Sequence, residues 1–143
     1  MNASPDSSPD QGADRKPVVL VVEDEFLTRT AITAYLRDVG FAVVEAATAA
    51  EAKAVIAAEA AVDVVFVDVR LPGDVDGLML ADWVDRNAGD VPVLITSGAP
   101  SIRTPETVAG RPFVAKPYIY LVVERRLREL LARKSTLPWK PYD

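Results

Sequence analysis

Continuous apolar runs alternate along this chain with stripes of helical spacing. The runs are Pro17–Val22, Phe41–Glu45, Val64–Val67, Val91–Thr96 and Pro112–Ala115. The third is wholly apolar, rich in β-branched and aromatic residues, and it ends at Asp68 just before the turn residues Leu71-Pro72-Gly73-Asp74. A strand buried on both faces at the centre of a parallel sheet reads this way. Between the runs, Leu27, Ala31, Ile32, Tyr35, Leu36 and Val39 form one helical stripe, closed by Gly40 at a C′ position. Thr48 and Glu51 have the spacing of a capping box and open an alanine-rich helix through Glu59. A third helix is predicted from Gly77 to about Asn87, with Leu78, Leu80, Ala81 and Val84 apolar and Gly89 at its end. A last helix is predicted from Ile119 to Arg133. From Ala99 to Gly110 the pattern weakens, because Pro100 and Pro105 leave room for at most a short, irregular helix. Strands alternating with helices predict an α/β domain whose parallel sheet is covered on both faces.

The ends read differently. Residues 1–16 are rich in Pro, Ser and Asp with almost nothing apolar, so they cannot bury enough surface to offset ordering and read as a flexible tail. The domain is expected over residues 17–134, followed by a tail at 135–143. In that tail Trp139 and Tyr142 are either unstructured or a docking segment. With 143 residues, half of them hydrophobic, a single core needs no staples. Cysteine and histidine are absent, which excludes disulfides, thiol chemistry and any histidine-based triad. A formal charge of −5 argues against a nucleic-acid-binding surface. There is no apolar run of membrane-span length and no basic-then-apolar start, so a cytoplasmic protein without membrane contact is expected.

The strand ends carry the chemistry. The first run delivers Glu23 and Asp24, the third Asp68, the fourth Thr96 and the fifth Lys116. Parallel strands put their carboxyl ends on one edge. With right-handed crossovers, a flavodoxin-like doubly wound (βα)5 sheet of order 2-1-3-4-5 sets strands 1 and 3 side by side. Three carboxylates then share one crevice, where two charges ~4 Å apart repel by roughly 4 kcal/mol at an effective dielectric near 20. A hard divalent cation held by oxygen ligands relieves this, and Mg2+ typically takes one or two carboxylates plus a phosphate. Lys116 adds a positive point charge and Thr96 a hydroxyl. The set supplies what phosphoryl transfer to a carboxylate requires: a nucleophile, a metal and fixed donors.

The chain resembles the receiver domain of two-component response regulators over roughly Pro17 to Arg133. The motifs are Val21-Val22-Glu23-Asp24-Glu25, Val67-Asp68-Val69-Arg70-Leu71-Pro72-Gly73 with Asp76-Gly77, Leu94-Ile95-Thr96-Ser97-Gly98, and Lys116-Pro117. The resemblance implies that Asp68 is the phosphoacceptor. Asp24 would bind Mg2+ (or Mn2+), with Glu23 reaching it through water and Arg70 contributing its backbone carbonyl. Thr96 and Lys116 would contact the phosphoryl group. Phe113 would be a switch aromatic that turns inward as Thr96 moves. The implied donor is a sensor histidine kinase or a phosphotransfer protein, and the implied catalysis is limited to self-phosphorylation and self-dephosphorylation. Three features depart from the common pattern. The loop before Asp76-Gly77 is one residue longer, leaving Asp74 free to cover the site. Glu23 stands where many members have Asp. The segment between Thr96 and Lys116 is short and proline-broken, so the usual fourth helix is short or irregular.

Blander readings apply to each residue singly: Glu23 and Asp24 as caps of the first helix, Thr96 as a locally bonded hydroxyl. The stretch Tyr118–Val123 is over-apolar for a surface helix, and it predicts a dimer or partner site around Ile119, Tyr120 and Val122, with Trp139 as a possible anchor. The expectation is a stand-alone receiver that signals through protein contacts or relays phosphate, without direct DNA binding. The rivals are a small aspartyl-phosphate phosphatase or phosphotransferase and a pseudo-receiver that takes no phosphate. The first needs an acid two residues after its nucleophile, where this chain has Arg70. A flavodoxin-type carrier shares the fold, but the acidic crevice would repel a flavin phosphate.

Overall fold

The structure, a computed structural model, describes residues 15–58, 61–98, 107–108 and 110–136. In chain order the elements are β1 (Val18–Val22), α1 (Phe26–Asp38), β2 (Ala42–Ala46), α2 (Ala49–Ala57) and β3 (Val64–Asp68). There follow α3 (Gly77–Asn87), β4 (Val93–Ser97), β5 (Thr107–Val108), β6 (Arg111–Ala115) and α4 (Tyr120–Thr136). The sheet order is β2-β1-β3-β4-β6-β5. Apart from β5 the pairings are parallel, so the expected doubly wound order holds with β6 as the fifth parallel strand.

Successive residues of each central strand serve opposite cores. Val19 and Val21 of β1, Val64 and Phe66 of β3 and Leu94 of β4 pack with Ile32 and Leu36 of α1 and Val123 and Leu127 of α4. Leu20, Val22, Val65, Val67 and Ile95 face the other way, onto Ala49 and Ala52 of α2 and Leu80, Ala81 and Val84 of α3. Two covered faces are why these runs are apolar without alternation. Each fully buried aliphatic side chain contributes roughly 1.5–3 kcal/mol. Among the described residues, no helix is long and apolar enough to cross a membrane.

Local signals act as read. Gly40 follows the C-cap Val39 with φ 109°, a left-handed conformation that suits glycine. Thr48 Oγ1 accepts from Glu51 N at 3.0 Å, and Glu51 reaches back to the N–H of Ala47 at 2.7 Å. At the start of β1, Asp63 accepts from Val18 N at 2.8 Å and pairs with Arg15 at 3.0 Å.

Three expectations need correction. Part of the stretch read as a short helix is strand: Thr107–Val108 pairs antiparallel with Arg111–Pro112 and adds a sixth strand at the sheet edge. Residues 99–106 lie outside the described residues, as do residues 1–14 and 137–143, the latter with Trp139. Leu27, assigned to the buried stripe, is 71% exposed, because it precedes the turn at which α1 reaches the sheet. The cap of α1 is neither Glu23 nor Asp24 but Glu25, whose carboxylate accepts from Thr28 N at 2.6 Å and Leu27 N at 3.3 Å.

Candidate functional site: an acidic crevice bridged by a lysine

Strand register assembles the crevice. Parallel pairing sets Asp68 beside Thr96, and Val22 beside Val67, so Glu23 and Asp24 leave β1 next to Asp68. One oxygen from each of Glu23, Asp24 and Asp68 lies within 4.8 Å of the others. Glu23 and Asp68 are buried, whereas Asp24 faces solvent.

Lys116, just past β6, donates from Nζ to Asp68 Oδ2 and to Glu23 Oε1, both at 2.6 Å. The remaining oxygens also have donors: Arg70 N–H to Asp68 Oδ1 and Glu25 N–H to Glu23 Oε2, each at 3.0 Å. Burial raises the pKa of Glu23 above the ordinary carboxylate value, and the hydrogen bonds from Lys116 and the Glu25 N–H only partly oppose it. Burial also works against the Lys116 ammonium, but hydrogen bonds to Asp68 and then Glu23 outweigh it and raise its pKa. One ammonium thus contacts two buried carboxylates, while a third, Asp24, lies close to both.

The donor set suits a divalent cation: it is all oxygen, carboxylate-rich and incompletely neutralised. A second feature lies beside Asp68. Thr96 Oγ1 is buried and, among the described residues, has no hydrogen-bond partner. Leaving such a hydroxyl unmet costs on the order of 1–3 kcal/mol.

The helix after the site can start there because residue 77 lacks a side chain. A Cβ on Gly77 would sit 2.2 Å from the carbonyl oxygen of Asp68 and 2.7 Å from Val69 Cα. The Gly77 N–H donates to Val69 O at 2.7 Å, and Asp76 caps α3 by accepting from Met79 N at 2.9 Å. The Asp76-Gly77 pair is therefore a docking device for α3 against the end of β3.

The other expected residues divide. Arg70 contributes its N–H to Asp68, while its side chain is exposed. Phe113 is already buried, beside Ile95 on β4 and within the core that contains Leu80 and Val84. The inward turn expected of it starts from a position that is already inside. Asp74 is exposed on its loop. Ile119, Tyr120 and Val122 are all exposed, Ile119 at 68%. Of these, Tyr120 lines a concavity of about 590 Å³, together with Leu27, Thr28 and Ala31 on α1 and with Lys116, Pro117 and Tyr118.

Two features escaped the sequence. Tyr118 stands edge-on to Phe66 at 5.5 Å and continues through Tyr120 to Tyr35, with ring centroids 6.1 and 5.2 Å apart. Arg29 donates from Nη1 to the carbonyl oxygen of Glu23 at 2.7 Å. Neither has a motif; the five-residue spacing from Asp24 to Arg29 is a signal only once the loop geometry is known.

Comparison with known proteins agrees with this geometry. A family model described as the response regulator receiver domain matches residues 19–118. The chain is 32% identical over 125 residues to the nitrogen assimilation regulatory protein NtrX of Azorhizobium caulinodans, covering 82% of this chain and 27% of that protein. It is 30% identical over 128 residues to the aerobic respiration control protein ArcA of Escherichia coli K12, covering 85% and 51%. The chain therefore spans about half or less of the length of these relatives. Among solved structures, the receiver domain of NtrX from Brucella abortus superposes with a TM-score of 0.70 at 30% identity, covering 80% of this chain and 98% of that one. A response regulator receiver protein from Sinorhizobium medicae has the same fold, with a TM-score of 0.75 at 22% identity, covering 84% and 98%. With its acidic crevice, its bridging lysine and a family match across the whole sheet, this chain belongs to the response regulator receiver family of two-component systems.

Proposed function

We propose that the chain is a phosphorylatable switch in which Asp68 accepts a phosphoryl group in the presence of Mg2+ or Mn2+. The observation that carries this reading is the double contact of Lys116 with Asp68 and Glu23 beside an unpartnered Thr96 hydroxyl. Glu23, Asp24, Asp68 and the Arg70 backbone carbonyl would hold the metal, which when bound supplies positive charge against the phosphoryl oxygens. Asp68 is oriented for attack by the Arg70 N–H and by Lys116. Its carboxylate oxygen forms the new bond to phosphorus as the donor's bond to phosphorus breaks, and the leaving group departs with that electron pair. Lys116 then pairs with the new phosphate charge while Thr96 donates to it. Self-dephosphorylation uses the same groups with water as nucleophile.

The donor in this reading is a sensor histidine kinase or a phosphotransfer protein. The concavity supports it, because its lining includes Lys116, whose ammonium contacts Asp68. A homodimer through α4 would use Ile119, Tyr120 and Val122. In that case sedimentation of wild type and of the Ile119→Glu/Val122→Glu variant should differ; two monomeric profiles would remove the dimer. Output through protein contacts in the cytoplasm, without direct DNA or membrane contact, fits the charge of −5. The deciding experiment is incubation with a small phosphodonor and Mg2+, read by intact mass. One added phosphoryl group, absent from Asp68→Asn, is expected; no addition to wild type would refute the reading.

A further inference from the structure

Arg29 sits in the first turn of α1 and forks between the ends of two neighbouring strands. Nη1 donates to the carbonyl oxygen of Glu23 at 2.7 Å, just beyond β1, and Nε donates to Glu45 Oε1 on β2 at 3.1 Å. The guanidinium stands 5.6 Å from the centre of the Phe26 ring, and the side chain is only 15% exposed. The Glu23 carbonyl belongs to the peptide whose N–H is that of Asp24. Holding this oxygen holds the plane from which Asp24 projects. The same loop is tied again by the Glu23 N–H to Ala46 O and the Glu25 N–H to Glu23 Oε2, both at 3.0 Å. Among the described residues, the Asp24 side chain has no hydrogen bond of its own. Its direction therefore depends on the backbone beneath it.

We infer that Arg29 is a positioning residue that sets the affinity of the acidic crevice for a divalent cation by locking the Glu23–Asp24 peptide. The inference rests on the metal-dependent reading above. It has a sign that a simple charge effect lacks. A guanidinium near a cation site repels the cation, so removing its charge should tighten binding if the field were all that mattered. If Arg29 instead aims Asp24, removing it should weaken binding, as loss of an outer partner of a ligand generally does.

The test is titration of the full chain with Mn2+ alone, following free Mn2+ by its paramagnetic resonance signal. Arg29→Gln is expected to weaken Mn2+ binding by about ten-fold. Arg29→Lys keeps the charge but loses the planar fork, and a smaller loss is expected. It also serves where the glutamine variant does not fold. Binding by Arg29→Gln as tight as wild type or tighter, or by Arg29→Lys equal to wild type, overturns the inference. So does a fall in the metal-free melting temperature with unchanged Mn2+ affinity, the signature of a merely structural arginine. If wild type itself binds no Mn2+, the metal-dependent reading falls first and takes this inference with it.

Discussion

Lys116 Nζ and Asp68 Oδ2 meet at 2.6 Å although 48 residues separate them in the chain. The same ammonium contacts buried Glu23, so without metal it is the group that keeps two desolvated carboxylates compatible. Removing one partner of a buried ionic cluster is costly because the others stay buried and unpaired. Lys116→Met should lose about 3 kcal/mol in metal-free urea unfolding at neutral pH. Mg2+ should restore part of this loss by binding the folded state. Unchanged stability would mean that the carboxylates are not held together as described.

Thr96 predicts the opposite sign. Its buried hydroxyl has no partner among the described residues, so Thr96→Val, similar in shape, should stabilise the unphosphorylated protein by about 1 kcal/mol. The variant should still accept phosphate on Asp68 but gain less stability from it. Equilibrium unfolding with and without a phosphodonor measures both.

Gly77 is constrained by backbone that cannot step aside. A methyl group there would overlap the Asp68 carbonyl, which lies 2.2 Å from the Cβ position. Gly77→Ala should cost about 3 kcal/mol, the upper end of overpacking penalties, and should reduce phosphorylation by displacing Asp68. A melting temperature within a degree of wild type would contradict this close approach.

Asp63 lends the fold a pH dependence. Burial pushes its pKa up, but the Arg15 hydrogen bond and the Val18 N–H push it down further, leaving it below the ordinary value. A carboxyl depressed on folding stabilises above its unfolded pKa of roughly 3.9 and loses that contribution as pH falls through the folded value. Asp63→Asn should therefore cost about 1 kcal/mol at pH 7. The gap between variant and wild type should close below about pH 4. A gap that persists in acid would assign the loss to packing instead.

Much of the site was legible because its parts sit at strand ends. A continuous apolar run marks a doubly covered strand, and a polar residue closing it must lie on the sheet edge. That logic places Glu23, Asp24, Asp68, Thr96 and Lys116 together without coordinates. It does not say that Lys116 reaches Glu23 as well as Asp68, since that depends on side-chain length and on the β3–β4–β6 register. Nor does it reveal Arg29, whose role is a contact with backbone.

The sequence by itself determined the alternation of elements and the polar residues that close each main strand, because hydrophobic period and turn chemistry are local properties. Tertiary structure alone decided the rest. Leu27 has core spacing yet lies exposed, since burial depends on where α1 meets the sheet. Thr107–Val108 became a strand because Arg111–Pro112 offered it an edge to pair with. Phe113 lies inside because both Ile95 and the α3 face receive it. Each of these turns on a neighbour distant in sequence, and such neighbours leave no mark on local hydrophobic spacing.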